Sequence, residues 1–287
     1  MKKYTAPIGI TALVIAALMA GCGGGSGGGG STAATGGSGP GPAGASPTLG
    51  SAGTYGIMAH NADIVIQADA HVIGDVALDP AGACSGCGPG HDATVSGSIA
   101  NGDLPTPGVA HQAFLDQQAA YNNALARKTD PAYTTCTIAG DLEQLQPPST
   151  ACAALIVASA GPTNSFKPGI YVSGVPIGIG SGATITLDAG GNADAVFIFQ
   201  TDVAITTGTN SRVVLAGNAK AKNVWWIAGS AATLGVSSTF KGTVLANSAA
   251  VTALGGTTLE PTLVEGRLFS SGAAIEVDTF ATVTVPQ

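Results

Sequence analysis

Five cysteines, four histidines and a scatter of aspartates are the side chains of this 287-residue chain best suited to chemistry. Cys84-Ser85-Gly86-Cys87 with nearby His91 has the C-x-x-C spacing that can open a zinc site, in which thiolates and an imidazole surround the ion. No fourth ligand stands close by, and in an exported protein the same spacing closes as a disulfide, so the reading is no metal. His60, His71 and His111 are isolated in sequence, with His111 expected on the surface of a helix. Asp188, Asp194 and Asp202 are spaced as turn residues, whose side chains bond the local backbone. Calcium in the turns is the alternative, but the glycine-aspartate nonapeptide repeat that would hold it is missing. Neither a nucleophile elbow, a zinc-protease motif nor a phosphate loop is present. The chain reads as a non-enzyme without cofactor.

The first cysteine has a different context. Met1-Lys2-Lys3 is followed by an apolar run from Ala6 to Ala20 that is too short to span a bilayer and remain there. It ends in Leu18-Met19-Ala20-Gly21-Cys22, which resembles a bacterial lipobox, with Met19 where leucine is commonest. Residues 1–21 are then a lipoprotein signal peptide and Cys22 the lipidated N-terminus of the mature chain. Gly23, rather than aspartate, after the cysteine points to the outer membrane or cell surface. Residues 22–50 are almost wholly Gly, Ser, Ala, Thr and Pro, and 14 of the 43 glycines fall between Gly21 and Gly50. Such a segment cannot offset its conformational entropy by burial and reads as a flexible tether reaching about 30 Å.

Residues 51–287 form the folded domain, with eight lysines and arginines against seventeen acids, a net charge of −9. That sign argues against nucleic acid as a partner. Only 9% of the whole chain is charged, while 45% is hydrophobic, enough for a core. The domain is expected to be a monomer. Four cysteines remain in it, Cys84, Cys87, Cys136 and Cys152, an even number that suggests two disulfides.

The elements that must position these residues are mainly strands. Short Val-, Ile- and Thr-rich runs, such as Thr184-Ile185-Thr186-Leu187 and Ala195-Val196-Phe197-Ile198-Phe199, alternate with Gly, Asn and Asp. Trp225 and Trp226, in one such run, point to opposite faces, one into the core and the other to the surface or beneath a helix. The exception is Val109 to Lys128, where Ala110, Phe114, Tyr121 and Leu125 recur at helical spacing after a Thr106-Pro107 start. The segments from Leu187 to Phe197 and from Leu215 to Trp225 superpose at an offset of 28, as one coil of a β-helix requires, and the repeat fades after about Ser238. The fold class is mainly β, a β-helix rather than a sandwich, with one helix along its flank.

At this point the chain resembles the bacterial and fungal ice-binding protein family of the DUF3494 type. The matching segments include Gly56-Ile57-Met58-Ala59, Val72-Ile73-Gly74-Asp75-Val76, Lys167-Pro168-Gly169-Ile170-Tyr171, Ala195 to Gln200, Asn223-Val224-Trp225-Trp226 and Phe240 to Ala246, in family order from about Gly53 to Pro286. The resemblance implies a right-handed, discontinuous, three-sided β-helix with a long α-helix along one face, and ice as the partner. This chain departs from the family between Tyr121-Asn122 and Pro168, where it carries extra sequence with Cys136 and Cys152. Three disulfide connectivities are open. The preferred one pairs Cys136 with Cys152, closing a loop of about 16 residues worth around 3 kcal/mol, and Cys84 with Cys87.

Ice recognition needs a flat, weakly charged surface whose hydroxyls and methyls hold ordered water. Threonine suits it, being stiff at χ1 and carrying both groups. Some family members show a T-[A/G]-x-[T/N] pattern on the face thought to meet ice, and Thr207-Gly208-Thr209-Asn210 fits it here. The candidate face is accordingly Thr207, Thr209 and Asn210, extended by Ser238 and Thr239. The expected function is an exported, membrane-tethered ice-binding protein. The alternative is a structural or adhesive surface lipoprotein of the same fold without ice activity.

Overall fold

The computed structural model describes residues 42–88, 94–101, 108–145, 150–158 and 163–287. The signal peptide, Cys22, residues 23–41, His91 and the Thr106-Pro107 pair lie outside them.

Alternation makes the strands. In Thr184–Asp188 the side chains of Ile185 and Leu187 are buried while Thr184 and Thr186 face outward, and Ile205–Thr207, Ala232–Leu234 and Val251–Ala253 bury both end residues and turn the middle one out. One coil runs through Gly169–Ser173, Ile177–Ile179 and Thr184–Asp188, and the next through Phe197–Thr201, Ile205–Thr207 and Arg212–Ala216. Corresponding strands pair in parallel, Ile170 with Ile198, Ile177 with Ile205 and Leu187 with Leu215. Three faces result, here called the helix face, the narrow face and the broad face. The long strands Thr239–Ala246 and Thr262–Ser270 pass from the broad face onto the helix face and join both into one sheet of 16 strands, whereas the narrow face is a separate sheet of seven.

The coils do not stack in chain order. The last one pairs with the first, Leu268 with Ile57, Ile275 with Ile64 and Thr282 with His71. After the N-terminal coils, which end at Ile99–Asn101, the chain must travel to the far end of the stack, where Thr135–Ile138 pairs with Gly169–Ser173. Helix α1, Val109–Ala126, makes that passage. Its 18 residues give about 27 Å, most of the length of a stack whose neighbouring strands lie about 4.8 Å apart.

The interior between the faces is apolar and holds an aromatic ladder. Tyr171 and Phe199 stack with centroids 4.8 Å apart, Phe199 and Trp226 4.3 Å apart, and Phe240 follows at 5.0 Å. Trp226 points inward and donates from Nε1 to the Lys241 carbonyl at 2.8 Å. Trp225 points the other way into a second cluster beneath α1 and donates to Ser46 Oγ at 3.0 Å. Both indoles are buried, which resolves the two placements open for the outward one in favour of the helix.

The helix starts at Val109 with Gly108 as its N-cap, and its contact stripe is mostly alanine: Ala110, Ala113, Ala120 and Ala124 are buried with Phe114 and Gln117. Leu125 and Tyr121, expected on the stripe, are only half-buried, because small residues let the helix sit close to the sheet and leave little depth at its margins. Residues 42–50, read from composition as tether, lie against the same face. Ala43 and Leu49 are buried, and Arg127 donates to the carbonyls of Ala43 and Ala45 at 2.7 Å each. Composition alone missed this because the contacts are made by the backbone and by single apolar residues.

Both disulfides follow the preferred connectivity, with Cα atoms 5.6 Å apart for Cys84–Cys87 and 5.0 Å for Cys136–Cys152.

Candidate functional site

Of the three outer surfaces, α1 and the N-terminal segment cover the helix face. The broad face is open but uneven. Its outward row Thr184, Arg212, Thr239, Leu263, Thr282 alternates threonine with long side chains. Lys241 Nζ pairs with Glu265 Oε2 at 2.7 Å, and Val214, Leu263 and Ile73 are 42%, 44% and 49% exposed.

The narrow face differs in shape and charge. Its three-residue strands present one outward side chain each, and these stand in register: Gly178, Thr206, Thr233 and Thr252 on four successive coils. On one side runs a row of partly exposed alanines, Ala204, Ala231, Ala250 and Ala274, stacked through backbone bonds such as Ile205 N–H to the Ala231 carbonyl at 3.0 Å and Ala232 N–H to the Ala250 carbonyl at 3.0 Å. On the other side come Gly208 and Gly235. A Cβ on Gly235 would lie 2.4 Å from the Gly208 carbonyl, and one on Gly208 2.5 Å from Ser181 N, so no side chain can rise there. On the coils of Thr206 and Thr233 the strip is therefore flat, with small groups in rows about 4.8 Å apart between coils and just under 7 Å apart along a strand, and Leu254 takes the glycine position on the Thr252 coil. From Ile177–Ile179 to Val251–Ala253 its outward strand residues carry no charge. Charge flanks the threonine row at both ends: the Asp141 Oδ1 lies 2.5 Å from where a Cβ on Gly178 would stand, and the coil after Val251–Ala253 carries Glu276 and Asp278, both bonded by Gln67 Nε2 at 3.0 and 2.7 Å. Burial, with the neighbouring Glu276 charge, pushes the Asp278 carboxyl above the usual range.

Such a surface can order water rather than perform a reaction. Each threonine offers a hydroxyl and a methyl on a χ1-restricted stem.

The residues picked from sequence are not together on this strip. Thr207 is 3% exposed, because it is the inward end residue of Ile205–Thr207, and its Oγ1 accepts Gly235 N–H at 2.8 Å inside the stack. Ser238 is 1% exposed. Both are corrected from surface to interior positions. Thr209 and Asn210 are exposed in the corner between narrow and broad faces, and Thr239 lies on the broad face. The T-G-T-N match is a corner. There the N–H of Ser211 bonds the Gly208 carbonyl at 3.2 Å and Asn210 has φ +58°. Equivalent turns end at Ala183, Ser238, Ala281 and Ala70, with Gly182, Ser237, Phe280 and Asp69 as the positive-φ residue. Sequence reasoning missed Thr206, Thr233 and Thr252. Their shared signal is a threonine flanked by two core residues, in Ile-Thr-Thr, Ala-Thr-Leu and Val-Thr-Ala.

Other candidate chemistry has structural partners. Asp188 Oδ1 accepts Gly190 N–H at 2.9 Å, the expected turn bond, while Asp202 instead faces Lys128 Nζ at 3.4 Å. Asp79 is buried and accepts from His60 Nδ1 at 3.1 Å and from His111 Nδ1 at 3.0 Å. His111 thus ties the first turn of α1 to the sheet and is not a free surface residue. No group of three or more histidine, cysteine, aspartate or glutamate side chains is placed to hold a metal ion among the described residues.

An ice-binding protein, K1-A, of Typhula ishikariensis is 29% identical over 220 residues, 71% of this chain and 80% of that protein. A crystal structure of an ice-binding protein from an Antarctic biological consortium superposes with a TM-score of 0.67 at 27% identity, covering 84% of this chain and 92% of the other. The ice-binding protein of the Antarctic ascomycete Antarctomyces psychrotrophicus gives a TM-score of 0.65 at 25% identity, covering 84% and 99%. The profile of the Ice-binding-like family matches residues 57–283, nearly the whole described domain, and the chain belongs to that family.

Proposed function

We propose that this protein binds ice through its narrow face, with Thr206, Thr233 and Thr252 as the central row. The observation that carries the reading is the registered row Thr206, Thr233 and Thr252, uncharged over three coils, with alanine on one side and Gly208 and Gly235 on the other. Family membership and the relatives named as ice-binding proteins support it. The broad face has threonines too, but Arg212 and the Lys241–Glu265 pair hold their own hydration and interrupt any water lattice.

The test is thermal hysteresis and ice recrystallisation with the purified protein. Thr233→Tyr, at the centre of the strip, is expected to cut activity by an order of magnitude with an unchanged circular dichroism spectrum. Thr184→Tyr on the broad face is expected to leave it. The reverse pattern would move the site to the broad face. An inactive wild-type protein would favour the adhesive alternative.

We propose separately that the protein is a surface lipoprotein, with residues 1–21 as signal, Cys22 as anchor and the glycine-rich stretch to about residue 41 as tether. The support is the Leu18 to Cys22 motif and the composition that follows. Cell fractionation should find the wild-type chain with membranes and Cys22→Ser in the soluble fraction. A Cys22→Ser chain that stays membrane-bound would sink the anchor.

A further inference from the structure

We infer that the corner at Phe280 is a binding site for a neutral pyranose sugar ring, separate from the narrow face and independent of ice binding. The first observation is an outlier of residue type. At the turns between narrow and broad faces the positive-φ position holds Gly182, Asn210, Ser237 and Asp69, all small or able to bond the local backbone. On one coil it holds Phe280, at φ +61°. A bulky side chain in the left-handed region is strained, and such strain persists where something else requires the residue.

The core does not require it. Phe280 is half-buried, belongs to neither hydrophobic cluster, and stacks on no other ring among the described residues. It lines an open cavity of about 380 Å³ with Pro261, Thr257, Thr258, Asp69, His71 and Thr282. Small-molecule sites begin at about 300 Å³, so one ring fits with little room over.

The lining selects the ligand. The phenyl ring and the proline are the apolar part of the lining and suit the C–H face of a pyranose, since aromatic rings favour contacts with polarised C–H groups. The polar part of the lining is three threonine hydroxyls able to donate and accept, Thr257, Thr258 and Thr282, a carboxylate that accepts from vicinal hydroxyls, and an imidazole. The Asp69 charge disfavours an anionic sugar. Exposed Thr257 and Thr258 sit on a turn fixed by the Thr257 N–H bond to the Glu260 carbonyl at 3.0 Å and by the Glu260 N–H bond to Thr257 Oγ1 at 3.0 Å.

Saturation-transfer NMR with the methyl pyranosides of glucose, galactose and mannose, and with methyl glucuronide as the anionic comparison, tests the site. Transfer to at least one neutral glycoside is expected, with amide shifts clustered at Thr257, His71 and Phe280. Phe280→Asn, which places at this corner the residue the chain already uses at Asn210, should fold and lose the transfer at least tenfold. Phe280→Tyr should keep it. Absence of transfer to all three neutral glycosides overturns the inference, as do stronger transfer to the glucuronide, undiminished transfer in Phe280→Asn, or amide shifts clustered elsewhere. Because the shifts are read on the wild-type protein, a poorly folding variant does not leave the question open. Thr233→Tyr should leave sugar binding intact, so failure of either site is seen without the other.

Discussion

At the scale of single residues, the corners set what each side chain can do. The residue after the left-handed one must be small, because it faces into the stack: Ala183, Ser211, Ser238, Ala281 and Ala70 are all buried. Asn210 is there because its short amide side chain tolerates positive φ better than any β-branched or bulky residue. Replacing Asn210 by alanine should therefore cost about 1 kcal/mol in denaturant unfolding, and by glycine close to nothing. Thr207→Val should cost about 1–3 kcal/mol, because the buried Gly235 N–H loses its acceptor. Neither change should alter ice activity per folded molecule. A stable Thr207→Val variant with lost activity would return Thr207 to the ice face. The T-G-T-N motif was legible in the sequence. Its meaning was not, because strand phase decides whether a threonine faces water, and a three-residue strand offers too few positions to reveal that phase.

At the scale of elements, much was legible. Alternation gave the strands, and the repeat gave the coil, since Leu187 does pair with Leu215. The repeat then slips. Phe197 pairs with Val224, one residue closer, because the turn bearing Gly190 and Gly191 is shorter in the next coil. Beyond Thr239 the separate corner between broad and helix faces disappears, and a single strand bends through Gly242 at φ +115°. Gly266 pairs with Gly242, and a Cβ there would collide with the Gly242 backbone. This loss of a corner is why the sequence period fades after Ser238 while the coils continue. It also hid the threonine row, whose third member, Thr252, lies on the shortened coil. Helix α1 was recognised by its large apolar residues, yet alanine and Gln117 make much of its contact. Gln117 Nε2 donates to Ser271 Oγ at 3.2 Å, and α1 in turn accepts Gln200 Nε2 at the Ala124 carbonyl at 2.6 Å. Such contacts carry no hydrophobic signal. The Asp116 carboxylate, held below its usual range by the Ser51 hydroxyl and N–H at 2.7 Å each, fastens the N-terminal turn to the same helix in a way that spacing does not foretell.

At the scale of the whole molecule, the discontinuous stack bears on rigidity, which an ordered-water surface needs. A simple solenoid is held by nearest-neighbour contacts and can open coil by coil. Here the chain-terminal coils meet inside the stack, where Ile64 pairs with Ile275 and Gln67 bonds to Glu276, 209 residues away. The cluster beneath α1 draws in Ala77, Met58, Phe269, Leu245, Trp225, Ile198 and Ile170, one residue from each of seven successive coils. Removing any of these coils from the stack would expose part of the helix face, so the coils should separate together. Unfolding in denaturant is thus expected as one transition, coincident by tryptophan fluorescence, which reports the mid-stack Trp225 and Trp226, and by far-UV circular dichroism, which reports all coils. Phe114 gives the sharper test. It is 7% exposed and stacks on His60 with centroids 3.6 Å apart, so Phe114→Ala should cost about 3–5 kcal/mol. If the helix binds the coils into one unit, that loss lowers both midpoints equally. Should the fluorescence midpoint hold while the circular dichroism midpoint falls, the coils near Phe114 would be opening alone, and the narrow face would owe its regularity to local strand pairing instead of the whole stack.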